Sequence, residues 1–255
     1  MNRIYKRLTV LFLIISVAGS LRAQDSTTTF KPFLEHRIIA GFNFGGTAPV
    51  GLPNTIRAIK GYWPEFTPAL GYELSLRATR KWGAAVGVKL DFKGMGTKDE
   101  VMYFPTVITV KDGSSTGTFE GTFTGKNKTI VRNAYVTFPV SAVFTPNDNW
   151  RFSLGGYFSW KFSSNFYGTV SDGYIRNGGP TGEKIIVDEA SFDFGRDVRK
   201  FDAGLQGGAE RRVGKRLSVI GNLSWGLKPV FPNEFKGLDF PLYNIYMMLG
   251  VSYKI

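Results

Sequence analysis

The sequence predicts an all-β chain, an eight-stranded antiparallel up-and-down transmembrane β-barrel with long extracellular loops, with ten strands as the alternative. Three observations predict it. Helical periodicity is nearly absent while period-2 alternation recurs from end to end. Short and long connections alternate. The face opposite the apolar one is made of Gly and Ser, which suits a crowded lumen better than water.

Eight runs carry the alternation: 36–46, 70–79, 82–93, 130–144, 150–162, 197–212, 217–228 and 243–255. In WRFSLGGYFSWKF, Trp150, Phe152, Leu154, Phe158, Trp160 and Phe162 share one side, against Arg151, Ser153, Gly155, Tyr157, Ser159 and Lys161. The closing run sets Ile245, Met247, Leu249, Val251 and Tyr253 against Tyr246, Met248, Gly250, Ser252 and Lys254. Tight turns fall at 80–83, 145–149 and 213–216, and long connections at 47–67, 94–129, 163–196 and 229–242. That order places the turns at one end of a meander and the loops at the other. Parity across the first turn requires an odd number of loop residues, and a three-residue loop with Gly83 left-handed is the expectation. Pro139 has no N–H to give, so it predicts a bulge or a lost rung in the fourth run.

Alternation alone allows two opposite barrels. An inward apolar face would make a periplasmic lipocalin-like binder of apolar ligands; an outward one makes a membrane barrel. Gly71, Gly87, Gly155, Gly204, Gly208 and Gly250, with Ser75, Ser153 and Ser159, lie on the polar parity, and aromatics gather toward run ends as in interfacial girdles. The apolar parity is therefore read as lipid-facing. Charges on the other parity then need partners in a narrow interior. The expected lumen network is Glu73, Arg77, Lys89, Asp91, Arg151, Asp202 and Glu210, with Glu73 and Lys89 opposite or diagonal across the first hairpin. Eight strands leave a lumen filled by side chains, so no general porin channel is expected.

Arg3, Lys6 and Arg7, the apolar run 8–18 and small residues up to Ala23 read as a secretory signal peptide covering 1–23. A short segment, 24–35, then precedes the barrel domain, 36–255. Removing Arg3, Lys6, Arg7 and Arg22 lowers the formal charge from +12 to +8. The remaining cations form no long cluster, and the compartment argues against nucleic acid. Zero Cys excludes disulfides and thiolate chemistry.

RKFDAGLQGGAE (199–210), LSVIGNLSWGLKPVF (217–231) and YNIYMMLGVSYKI (243–255) resemble the PorT-like outer-membrane β-barrel family of Gram-negative bacteria, over the chain from about Arg37 onward. The resemblance implies an eight-stranded, porin-like barrel integral to the outer membrane. Some members are linked to assembly of a protein-secretion system, and most have no assigned activity. Such chains usually end in an aromatic residue; this one ends in Ile255, with Tyr253 two positions earlier.

No motif predicts an enzyme, a cofactor or a metal. GPTGEK (179–184) lacks the Gly-Lys-Ser/Thr of a phosphate loop. Asp188, Glu189, Asp193 and Asp197 match no calcium-loop spacing, and His36, the sole histidine, begins a strand at the turn end. The segments 105–110 and 117–125 read as a hairpin rising above the barrel, or as two further wall strands. Long loops are usually functional. Tyr62, Trp63, Phe166 and Tyr174 are the candidate anchors for a protein or surface partner, beside outer-membrane lipid. The expected function is a non-enzymatic barrel, structural or binding through its loops, with membership of a secretion or envelope-assembly complex as the alternative.

Overall fold

A computed structural model describes residues 30–112, 115–177 and 181–255. The expected signal peptide, 1–23, lies outside these residues. Ten strands form: β1 (Phe33–Ala48), β2 (Ile56–Pro64), β3 (Pro68–Arg77), β4 (Trp82–Asp112), β5 (Ser115–Asn147), β6 (Trp150–Asn177), β7 (Lys184–Asp193), β8 (Phe201–Arg212), β9 (Leu217–Gly226) and β10 (Tyr243–Lys254). The first begins at Phe33 rather than at the expected His36.

Antiparallel pairings run β1–β3–β4–β5–β6–β8–β9–β10 and return to β1, so eight strands close the barrel. The other two stand above it. β2 continues the line of β3 up the edge of β4, pairing Ile56–Pro64 with Val101–Met95, and β7 continues the line of β8 up the edge of β6. The hairpin expected at 105–125 is the outer end of β4 and β5, which stay paired from Trp82↔Phe144 to Asp112↔Ser115. β5 has 33 residues, roughly 110 Å of extended chain, whereas crossing a bilayer takes about 9–11 residues. The long loops are thus mostly folded wall, a sheet extension beyond the membrane.

Lipid-side parity is plain from exposure. Leu154 is 72% and Trp160 54% exposed, and Phe42, Leu70, Val86, Leu90, Val140, Leu205, Leu223 and Leu249 also face outward. Large apolar side chains in such density belong against hydrocarbon, which overturns the lipocalin-like alternative. Aromatic pairs mark both rims, Trp82–Phe144 and Trp150–Phe152 at the turn end and Phe92–Phe162 and Phe158–Phe201 at the other.

Two local expectations meet different outcomes. The rungs of β4 with β5 skip from Val86↔Val140 to Lys89↔Thr137, so the rung at Pro139 is lost. The first turn is wider than the three residues expected. Arg77 pairs with Gly83, enclosing Ala78–Trp82, and Thr79 Oγ1 accepts the N–H of Trp82 at 2.9 Å. Gly83 lies in the strand, where a Cβ would stand 2.3 Å from the carbonyl oxygen of Leu76.

One irregularity reorganises the outer wall. Ala134 pairs with Ser163 but Tyr135 pairs with Lys161, so Phe162 is an extra residue in β6. A bulge of this kind swaps the faces of everything beyond it. Below it the even-numbered Phe152, Leu154 and Phe158 face lipid; above it the even-numbered Phe166 and Val170 are buried. The extension therefore encloses an apolar core of its own, with Met95, Val101, Phe123, Val131, Phe194 and Phe231 among its members.

Candidate functional site

The lumen is filled in layers. At the turn end, Arg151 donates to Glu73 at 2.6 Å and to Glu210 at 3.2 Å. Arg37 donates to Glu210 and, at 2.8 Å, to Glu35, which also accepts from Lys254 at 2.7 Å. Glu35, Glu73 and Glu210 are thus matched by Arg37, Arg151 and Lys254, the balance that buried charges require. Above them Gln206 donates to Ser141 at 3.0 Å, and Ile39, Ala69, Ile220 and Met248 make a small apolar layer.

A second charged layer lies near the outer rim. Asp91 sits 3.2 Å from Lys89 and 3.8 Å from Lys93, and it accepts from Asn43 Nδ2 at 2.9 Å. Lys93 Nζ is 3.6 Å from Asp202. It also stands 4.9 to 5.9 Å from the ring centroids of Tyr157, Tyr135 and Tyr246, a cation held among three aromatic faces. Asp202 accepts from Tyr157 at 3.2 Å and from Asn244 at 3.0 Å. Directly beyond begins the apolar core of the extension, where Phe166 meets Phe231 edge to face, their centroids 5.0 Å apart.

Six of the seven charges singled out in the sequence fall into these two layers. Arg77 does not; its guanidinium donates to the carbonyl of Arg80 in the first turn at 2.7 Å. Lys89 lies diagonal to Glu73, since Gly71 is opposite Lys89 and Gly87 opposite Glu73. Their ion pairs go elsewhere, to Asp91 along the strand and to Arg151 across the lumen. Glu35 and Asn43 were not legible as partners, Glu35 because it fell in the segment expected to precede the barrel. The tyrosine cage had a signal: Tyr157 and Tyr246 are bulky residues on the parity otherwise held by Gly and Ser.

The four loop anchors separate. Tyr62 is exposed on β2, and its hydroxyl donates to the Gly45 carbonyl at 2.8 Å and accepts from the Gly45 N–H at 3.1 Å. Trp63 lies against Gly96, where a Cβ would come within 2.0 Å of its ring, and donates to Glu65 at 2.9 Å. Tyr174 is half-buried, with Lys184 Nζ 4.2 Å from its ring centroid. Phe166 is no surface anchor: the Phe162 bulge turns it into the apolar core, where it is 4% exposed.

Beside that core is a cavity of about 430 Å³ that opens to the outside. Ile56, Met95, Val101, Phe104, Phe123 and Leu242 give its apolar lining, and Thr97, Asp99, Asn127 and Thr129 its polar side. Burial pushes the Asp99 carboxyl above its ordinary 3.8, only partly offset by hydrogen bonds from Thr97 and Asn127. Glu65, at the junction of β2 and β3, goes the other way. Its burial works upward, but hydrogen bonds from Trp63 and Arg132 and the charge of Arg132 hold it below the ordinary 4.5.

A closed antiparallel barrel with an apolar exterior, aromatic rims and a charge-balanced lumen is an integral membrane barrel. The family model described as outer membrane protein beta-barrel domain matches residues 23–232, so the chain belongs to that family and is an outer-membrane barrel protein. Among solved structures it is similar to the attachment invasion locus protein Ail of Yersinia pestis, at 12% identity over 87% of this chain and 97% of that one, with a TM-score of 0.31. A search of curated proteins finds no match.

Proposed function

We propose that the protein is a non-enzymatic, non-conducting outer-membrane barrel that binds a partner or ligand through its folded outer extension. The observation that carries this reading is the stacking of two charge-paired layers and an apolar core along one axis. Side chains occupy the space a channel would need, and the extension supplies a stiff platform. Tyr62, Trp63 and Tyr174 remain at its surface as contacts for a protein or surface partner. His36, the sole histidine, lies outside the lumen, its Nδ1 hydrogen-bonded to the Tyr72 hydroxyl. Kinship with the PorT-like barrels is part of the proposal and rests on the segments 199–210, 217–231 and 243–255. Cleavage after Ala23 is part of it too, and N-terminal sequencing of the membrane-inserted protein should begin at Gln24.

Liposomes containing the purified protein test the first half, with small sugars expected to stay excluded. Free sugar passage overturns it. Photo-crosslinking residues placed at Trp63 and Tyr174 in intact cells test the second half; one reproducible adduct is expected, and none from either position overturns it.

A further inference from the structure

We propose that the cavity in the outer extension is a binding site for an elongated, uncharged, lipid-like molecule, which enters sideways through a seam between β1 and β2. The inference rests on the binding role proposed above and assigns it a site and a ligand class.

The seam follows from the pairing. β3 covers the edge of β1 only as far as Phe42↔Pro68, and β2 pairs with β4 alone. Between them, Asn43 N donates to the Thr67 carbonyl at 2.9 Å, and Thr67 Oγ1 donates to the Asn43 carbonyl at 2.6 Å. Beyond that, among the described residues, no ladder rung joins the outer end of β1 to β2. The Tyr62 hydroxyl clasps Gly45 in place of a ladder. A side-chain clasp can open by a rotamer change, without dismantling a sheet.

Behind the seam lies the cavity, and its size is that of an ordinary small-ligand site. At its mouth Leu52 and Ile59 are exposed, and Phe42, Phe44 and Phe66 are exposed on the neighbouring wall. The apolar exterior of the barrel thus continues to the entrance, which suits a molecule partitioned in lipid. The lining selects for charge as well. It holds no Lys, Arg or His among the described residues, and its carboxylate is Asp99. Thr97 donates to Asp99 at 2.9 Å and Asn127 to Thr129 at 3.1 Å, which leaves the Thr129 hydroxyl proton and the Asn127 amide oxygen for a neutral polar end. A carboxylate or phosphate would enter without a counter-ion and face an acid, which is costly in an apolar site.

The test uses the full-length protein in liposomes, irradiated with a neutral long-chain alcohol bearing a diazirine, with adducts mapped by mass spectrometry. Label is expected on Val101, Phe104 and Leu242, competed by the unmodified alcohol and about tenfold less well by the fatty acid of equal length at neutral pH. Leu52→Glu should cut cavity labelling severalfold while heat-modifiable mobility on gels stays unchanged. Asp99→Asn should bring the fatty acid to parity with the alcohol. Label confined to lipid-facing residues such as Leu154 and Leu205 overturns the proposal, as does equal competition by alcohol and acid in the unaltered protein. Crosslinks from Trp63 and Tyr174 to a surface partner are read separately, so the cavity site can fail while the broader binding role stands.

Discussion

Arg151 donates to Glu73 at 2.6 Å across the width of the lumen, joining β6 to β3, strands with no ladder between them. Its other terminal nitrogen reaches Glu210, so one guanidinium satisfies two carboxylates. Replacing it with Leu strands Glu73, while Glu210 keeps its bond from Arg37. A charge left unpaired at such burial costs about 3–5 kcal/mol, and Arg151→Leu should lower the urea midpoint of barrel unfolding, followed by gel mobility without boiling. Removing Glu73 at the same time, as Glu73→Gln with Arg151→Leu, should recover part of that loss. Equal midpoints for the single and double variants would show that the pair carries no coupling.

Gly155 illustrates why the lumen parity is rich in glycine. A Cβ there would stand 2.0 Å from the Val140 carbonyl oxygen and 2.6 Å from the Ser141 Cα. Gly155→Ala must push β5 and β6 apart. A loss of about 1–3 kcal/mol is expected from overpacking of this kind, read in the same unfolding assay, whereas Gly51→Ala, with open space around its Cβ position but a left-handed φ of 85°, leaves the barrel itself unaffected.

Position relative to the bilayer should outweigh exposure itself. Leu154 and Val50 are both exposed, but Leu154 lies in the lipid-facing stripe of β6 and Val50 in the outer connection after β1. Arg at the bilayer midplane costs about 2–4 kcal/mol. Leu154→Arg should reduce the inserted fraction in a folding assay into liposomes, and Val50→Arg should leave it unchanged.

The two acids of the extension give opposite pH dependences. The folded-state pKa of Asp99 is raised above its ordinary 3.8, so its burial is harmless below that value, and stability falls as pH rises through the raised folded pKa. Glu65 is depressed below 4.5, so its contribution is present above 4.5 and is lost as pH falls through the lowered folded pKa. Hydrogen exchange of the outer strands across this range should show both arms. Asp99→Asn should remove the loss on the alkaline side and Glu65→Gln the loss on the acid side.

The membrane half of the fold was legible because hydrocarbon enforces a strict period of two, and eight runs obey it. The outer half was not, for reasons that particular residues show. β2 carries register shifts between Ile56 and Ala58 and between Ile59 and Gly61, which erase its alternation. β7 runs Lys184-Ile185-Ile186-Val187-Asp188-Glu189, with no clean two-residue period across those positions. In the site, charges on the polar parity could be named, but their partners lie across the lumen on strands distant in sequence, as with Arg37 and Glu210. Phe166 could not be placed without seeing the bulge, since its alternation with Tyr167 and Gly168 reads the same in either orientation.

The extra residue at Phe162 has a consequence for how this chain tolerates change. Deleting it would alter composition hardly at all and leave every turn in place, yet it would slip one strand's faces between two solvents. Phe166 and Val170 would be turned toward water, and their polar neighbours toward grease. In genetic terms a three-nucleotide deletion in frame would act on the outer half of the protein as a frameshift acts on a message, with each side chain still present and each facing the wrong medium.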